Sequence, residues 1–417
     1  MRNIPNVYSS WMPGAPKLSG TPGSWVEIMK KCLVAGFDPV TVSSITVLNG
    51  LATITSPAED KNYFVGCQLN ISGCTEPLLN KNVSITKNAF NSFCFVTTVA
   101  DGTYGGTIKV KLLAAGWETM FTGTNVACFR SLNLDGMGVV AKVTDTNAKF
   151  ATFDFYENMT TISAGTNRLN IATVQNNTTM TLKFFKAYNA DAVEQHWWLI
   201  ADNSTVYFCC DPVYVNDLLL SKQIDAFIGA LVHGFGMIGS NDPILKKNFA
   251  VLWPYYDSYD YPYSAISFRP GMFINNTLSY TSNSAILFDE SPVTESRWLR
   301  LVVNYYGMPI QSNRISGTLN EFNIFFNDRV DGLVAKPTYF FSSPLNTASS
   351  VLLGTSNDHR YYCNQTVSVL KNFSSSKLFG KTYINLPHSV NTSGRAITTI
   401  TTSSLGIMPF LVNETWD

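Results

Sequence analysis

Ser44-Ile45-Thr46-Val47-Leu48-Asn49-Gly50-Leu51-Ala52-Thr53-Ile54-Thr55 is the stretch on which the fold class turns. Two β-rich runs, 44–48 and 51–55, flank an Asn-Gly dipeptide. A two-residue type I′ turn needs positive φ at both central positions, which Asn and Gly tolerate best. The stretch therefore predicts a β-hairpin. Working outward, further short strands are expected at 68–71, 82–85, 93–98 and 107–112, with Asp101-Gly102 and Gly105-Gly106 marking turns between the last two. Five or six short strands in so little chain make a small β-barrel or sandwich, assigned to residues 37–115.

Upstream, one helix is written clearly. Ser24 is placed to cap it and Glu27, three residues on, completes a capping box. Trp25, Ile28, Met29, Cys32 and Leu33 form a single apolar stripe at helical spacing, and Gly36 is the expected left-handed stop. Before it, Pro5, Pro13, Pro16 and Pro22 with Gly14, Gly20 and Gly23 read as an extended arm over 1–23, able to order on a neighbour's surface during assembly. Arm and helix make a first unit, 1–36. Downstream, 116–417 reads as a larger β-rich, sandwich-type domain. Strands are expected at 138–143, 180–185, 197–200, 205–210, 299–304, 322–326 and 396–401. Turns are expected at Asp202-Asn203-Ser204 and at 239–243, and a second helix over 215–227. Regular crossover helices are missing, so an α/β sheet does not fit. The fold class is mainly β.

The 417 residues carry 29 basic and 29 acidic side chains, a net charge of zero, and charged residues are only 14% of the chain. Ordinary soluble domains carry about 25%. Such a surface must be covered by Ser, Thr and Asn or by neighbours. Nucleic acid is not an expected partner, because phosphate neutralisation needs clustered Lys and Arg. No apolar run is long enough for a membrane-spanning helix, so no membrane insertion is expected, and 1–16 lacks the apolar core of a secretory signal. Cys32, Cys67, Cys74, Cys94, Cys128, Cys209, Cys210 and Cys363 are scattered and read as reduced buried thiols, with a Cys67–Cys74 bridge as the alternative. The several Asn-x-Ser/Thr sequons are read as composition.

Catalytic signatures are sparse. His196, His233, His359 and His388 have no metal-ligand spacing, and Gly234-Phe235-Gly236-Met237-Ile238-Gly239 lacks the strand-to-helix context of a dinucleotide loop. It is read as a strand with close backbone approach. Asp257 with Asp260, or Asp289 with Glu290, could supply the two carboxylates of a glycosidase, but adjacent carboxylates in a turn are usually solvated. No catalytic residue, metal ligand or cofactor is assigned, and the chain is read as a non-enzyme. The sharpest local feature is aromatic: Trp253, Tyr255, Tyr256, Tyr259, Tyr261 and Tyr263 fall within eleven residues beside Pro254 and Pro262. Tyr joins a flat apolar face to a polar tip, which suits interfaces and sugar stacking. These six are the candidate interface or glycan-contact residues, against a loop packed on its own domain.

Val7-Tyr8-Ser9-Ser10, then Met12-Pro13-Gly14-Ala15-Pro16-Lys17-Leu18-Ser19-Gly20-Thr21, then Cys32-Leu33-Val34-Ala35-Gly36-Phe37, resemble the opening of a structural-protein family of tailed-phage tails and necks. Gly50-Leu51-Ala52-Thr53-Ile54-Thr55, Val65-Gly66-Cys67-Gln68-Leu69-Asn70-Ile71-Ser72-Gly73-Cys74 and Gly106-Thr107-Ile108-Lys109-Val110-Lys111 resemble the strands of a small phage-tail β-module, with Cys67 where the module has Asp. Residues 116–125 resemble the family's linker into its main domain, 197–208 its central hairpin, and 269–273 a later element. The resemblance implies a virion component of the tail, neck or baseplate, made in the host bacterial cytoplasm. Its partners would be copies of itself, as a homo-oligomer, and other virion proteins. The alternative is a receptor- or glycan-binding tail fibre or spike contacting a host surface glycan, and after that a polysaccharide depolymerase.

Overall fold

The computed structural model describes residues 3–55, 63–89, 91–133, 138–168, 182–187 and 192–210, and beyond these the strands named below. The chain is mainly β, with one short helix. β1 (Asn6–Ser9) comes first, and α1 (Ser24–Met29) runs on as a π-helical turn over Lys30–Ala35. Seven strands then build a curled sheet: β2 (Val40–Leu48), β3 (Leu51–Thr55), β4 (Gln68–Cys74), β5 (Asn82–Ser84), β6 (Lys87–Ala89), β7 (Ser92–Val96) and β8 (Gly102–Leu112). Their order is β5-β4-β8-β2-β3-β7-β6. The two outer strands are almost consecutive in sequence, so one segment holds both edges. Between them, the Ile85 N–H donates to the Cys67 carbonyl at 3.0 Å and the Thr86 N–H to the Cys94 carbonyl at 2.9 Å.

A second sheet follows from β9 (Trp117–Gly123), β10 (Val126–Ser131), β11 (Val140–Thr144), β12 (Phe150–Met159) and β13 (Gly165–Arg168), side by side, with β14 (Leu182–Phe185) also on β12. The third contains β15 (Trp197–Ala201), β16 (Thr205–Cys210), β17 (Leu231–Met237), β18 (Phe249–Tyr255), β19 (Arg269–Asn275) and β20 (Asn283–Leu287). β21 (Thr338–Ser342) pairs with β22 (Val351–Ser356), and β23 (Ser375–Leu378), β24 (Lys381–Ser389) and β25 (Leu405–Leu411) form a small sheet. Every one of these pairings is antiparallel, as short connections between successive strands require. The second and third sheets pack face to face. Phe235 of β17 meets Phe153, Phe155 and Phe184 with ring centroids 5.7, 5.3 and 6.5 Å away. The predicted helical stripe is the wedge beside them: Trp25, Ile28, Met29, Cys32 and Leu33 are all buried, and Trp25 lies 3.7 Å from the Phe208 ring.

The expected arm is instead part of this core. β1 adds to β15 at the edge of the third sheet, Asn6 opposite Ala201 and Ser9 opposite Trp198, and all four of its residues are buried. Polar side chains tie it to the curled sheet. The Asn6 amide donates to the Leu113 carbonyl at 2.7 Å and accepts from the Gln68 N–H at 2.8 Å, standing in for one residue of a missing strand. The Tyr8 hydroxyl donates to the same Leu113 carbonyl at 2.8 Å. Prolines read as loosening the segment, but its edge position on β15 explains why they are tolerated around it.

The helix start also differs. Gly23, at φ 90°, occupies the cap position, and no side chain of the helix caps it. The cap comes from 120 residues away: Asp145 accepts the Trp25 N–H on its carboxylate at 2.8 Å and the Gly23 N–H on its carbonyl at 2.9 Å. Ser24 uses its hydroxyl on the Ser19 carbonyl instead. Lys186 completes the site, donating to Asp145 at 2.5 Å and to the Thr21 carbonyl at 2.9 Å, with both charged side chains fully buried. At the other end Gly36 has φ 75° and ψ 174°, which is not the left-handed helical cap. A side chain there would meet the Leu112 carbonyl at 2.2 Å, and the last helical carbonyls, of Cys32 and Leu33, accept from the Ala115 and Gly116 N–H groups.

The Asn49-Gly50 hairpin forms as read, with φ 51° and 75°. Gly105-Gly106 does not turn; it lies inside β8, where the register shifts against both neighbours. A Cβ on Gly106 would stand 2.2 Å from the Gly73 carbonyl, and one on Gly73 would stand 2.1 Å from the Thr107 carbonyl. Two backbones thus cross at a point where neither can carry a side chain. The stretch read as a linker, 116–125, is a strand and its turn: Trp117 in β9 is buried and donates to the Asp202 carbonyl at 2.8 Å. Gly234 and Gly236 lie in β17 against Tyr207 and the Ser204 carbonyl, which is the close approach anticipated for them. The helix expected over 215–227, the turn at 239–243 and the strands at 299–304, 322–326 and 396–401 lie outside the described residues.

Candidate interaction surfaces

Of the six aromatic candidates, Trp253 and Tyr255 sit in β18, a strand paired on both sides, so the run begins inside a sheet. Register explains how Pro254 is accommodated. It faces Pro270 on β19, while the pairing of β18 with β17 stops at Leu252 and that of β19 with β20 stops at Gly271. On its outer side neither proline therefore meets a paired strand. Tyr256, Tyr259, Tyr261 and Tyr263 lie outside the described residues, as do Asp257, Asp260, Asp289 and Glu290.

Two surfaces escaped the sequence reading. On the curled sheet Leu48 faces Leu51, which faces Val96, so one row crosses three strands at the hairpin end. Leu48 and Val96 are 62% and 67% exposed. On the second sheet a row crosses five strands: Glu118, Arg130, Val140, Tyr156 and Arg168 stand directly opposite one another in turn. Arg130 pairs with Glu118 at 2.6 Å, and Arg168 pairs with Asp154. At the centre of the row Val140 is buried, in a small apolar cluster with Cys128 and Met159 that is rimmed by half-exposed Met120, Phe121, Tyr156 and Ile162. Each strand supplies only one residue to the row, so no local motif announces it.

An aromatic group joins the first strand segment to β15. Trp11 lies 4.7 Å from the His196 ring and 5.8 Å from Trp198, with Phe64 4.8 Å from Trp198 on the other side. Ser10 and His196 approach at 3.4 Å. These residues are up to 188 positions apart, which hides the group from any linear reading.

The cysteine chemistry is quiet. Cys32, Cys67, Cys74, Cys94 and Cys128 are free and buried, and Cys209 and Cys210 are buried in β16, so the Cys67–Cys74 bridge does not form. Cys67 instead donates to the Val7 carbonyl at 3.4 Å. Burial pushes the Cys32, Cys67 and Cys128 thiols up, away from the reactive thiolate, and raises Tyr8 in the same way. Among the described residues no three His, Cys, Asp or Glu side chains group as metal ligands, and no helix is long and apolar enough to cross a membrane.

No family model matches the chain, and no curated protein matches it. Among solved structures it is similar to an endosialidase of phage phi92, at 9% identity and a TM-score of 0.15. The match covers 91% of this chain, which spans about half (53%) of that protein. At that score the likeness carries no argument about this chain.

Proposed function

We propose that the chain is a structural component of a tailed-phage virion, in the tail, neck or baseplate, working through protein–protein contacts in a symmetric assembly. The observation that supports this most is the outward surface. A chain with 14% charged residues leaves Leu48 and Val96 in water, joined by Leu51 into one apolar row. Isolated exposed apolar residues are ordinary, but a contiguous row on a weakly charged sheet fits a covered face. The residues that carry the phage-tail resemblance support the reading too. Tyr8, Met12, Leu18, Cys32, Leu33 and Phe37 are all buried, so the likeness rests on architecture. The experiment is location: immunogold labelling and mass spectrometry of purified particles, which should find this chain at one defined structure. Particles without it would sink the reading.

The receptor- or glycan-binding alternative draws on the Tyr run. β18, which holds Trp253 and Tyr255, leads directly into it. Replacing Tyr255, Tyr256, Tyr259 and Tyr261 together with Ser should impair assembly or host attachment at unchanged melting temperature. A large fall in melting temperature would instead mean that the run packs on its own domain. Normal stability with normal incorporation and attachment would remove the run from both functional readings.

A further inference from the structure

We propose that the outer face of the β9–β13 sheet is a two-fold contact between copies of this chain. The inference rests on the assembly reading above and names a face for it. The five-strand row reads Glu118, Arg130, Val140, Tyr156, Arg168, with opposite charges at its two ends and Val140 at its centre. Strands stand about 4.8 Å apart, so the end residues are roughly 19 Å apart and equidistant from Val140. A two-fold axis lying in the interface along β11 therefore sets Glu118 over Arg168 of the second copy, and Arg168 over its Glu118. The same axis lays Arg130 over the second copy's Tyr156, a cation on an aromatic face, and brings together the half-exposed rims, Met120, Phe121, Tyr156 and Ile162, around the two buried Val140 positions. An isologous contact requires that kind of self-complementarity, and a face meeting an unrelated partner does not.

The side chains are those that interfaces favour. Arg, Tyr, Met and Phe are enriched there, and the face offers Arg130, Arg168, Tyr156, Met120 and Phe121 around the buried cluster. Lys142 is a charged group that the axis brings near its own copy, since it lies on β11 between Cys128 and Asp154. Its four-carbon stem lets the ammonium turn toward Asp154 or the rim.

Sedimentation velocity of the full chain should show reversible dimerisation. Glu118→Arg or Arg168→Glu alone should weaken it by about tenfold or more, because like charges then face each other across the contact. The double change, Glu118→Arg with Arg168→Glu, should restore it. No contact within one chain can produce that rescue, since the two positions are four strands apart. Because Glu118→Arg also strips Arg130 of its partner, a second measurement stands beside it. Glu118→Cys with Arg168→Cys should be joined between chains by a short bismaleimide, and either cysteine alone should not. A monomer, association that ignores both single changes, or no rescue and no cross-link would overturn the proposal. Labelling of particles would be untouched by that failure, so the two readings fall separately.

Discussion

Asn6 shows how much one side chain can hold. Its amide satisfies the Gln68 N–H and the Leu113 carbonyl at the seam between the curled sheet and β1. Asn6→Ala should leave the Gln68 and Val7 N–H groups without their acceptor, while the Leu113 carbonyl keeps the Tyr8 hydroxyl, and cost about 2–4 kcal/mol, since each orphaned buried group costs about 1–3 kcal/mol. Urea unfolding would measure it, and a loss under about 0.5 kcal/mol would show that water replaces the amide. Asp145 and Lys186 make the opposite case, a pair held against its own desolvation. Burial is the largest influence on both: it raises Asp145 above the usual carboxylate range and lowers Lys186 below the usual amine range. The signs follow from linkage. A carboxyl raised by folding gives its stability in full below its unfolded value and loses it as pH rises through the folded value. An amine lowered by folding gives its stability above its unfolded value and loses it as pH falls through the folded one. Where both groups are charged neither contribution remains, so the pair is a net cost there, retained for placing Thr21, Gly23 and Trp25. Lys186→Met alone should then cost about 3–5 kcal/mol, by leaving a buried carboxylate unpaired. Adding Asp145→Asn, which keeps an acceptor for the Trp25 N–H, should recover most of that loss. A double variant no more stable than the single would refute this account.

Elements differ in how openly the sequence declares them. The 44–55 hairpin and the stripe from Trp25 to Leu33 are legible because their causes are local: a turn that demands positive φ and a helical period. The helix cap is illegible because Asp145 reaches it from another sheet, and Ser24 with Glu27 imitates a motif that is not used. Prolines and glycines in 1–23 describe a chain without helix, which an exposed arm and a buried edge strand share equally. Only the partner, β15, decides between them. Gly105-Gly106 fails in the same manner, since a glycine pair serves a turn or a crossing of backbones, and Gly73 lies 33 positions away from Gly106. Of the candidate site, the sequence revealed the Tyr run but neither cross-strand row, because register is set by pairing and not by neighbours in the chain. The N-terminal strand yields an element-scale prediction. In the isolated chain the amides of Val7 to Ser10 should exchange as slowly as those of β15, since β1 is buried along its length. Deleting 1–23 should give insoluble protein, with the β15 edge and the Trp197 side chain uncovered. Fast exchange of β1 in the isolated chain, ordered only in the assembly, would restore the free-arm picture.

At the scale of the molecule the question is whether the curled sheet is a separate domain or part of one cooperative body. The buried side chains argue for the second. One continuous apolar cluster runs from Val7 and Tyr8 through Phe37, Ile45 and Val110 to Trp197, Phe208 and Phe235. Tyr8 is the hinge between its halves. Its ring lies 5.8 Å from Phe37, at the mouth of the curled sheet, while Phe37 lies 6.4 Å from Trp197 of β15. Its hydroxyl holds Leu113, just past β8. Tyr8→Ala should therefore cost about 3–5 kcal/mol, as truncation of a buried aromatic does. The loss should fall alike on both sides of the seam. Native-state hydrogen exchange reads this directly, because amides that open only in global unfolding all shift by the same free energy. The expected result is equal loss of protection in β2, β8, β12 and β16. If the cost fell on β1 and β15 while β2 and β8 kept their protection, the curled sheet would fold alone and the seam would be a docked contact between two domains. Such a contact could open during assembly, whereas a shared core could not open without unfolding both sheets.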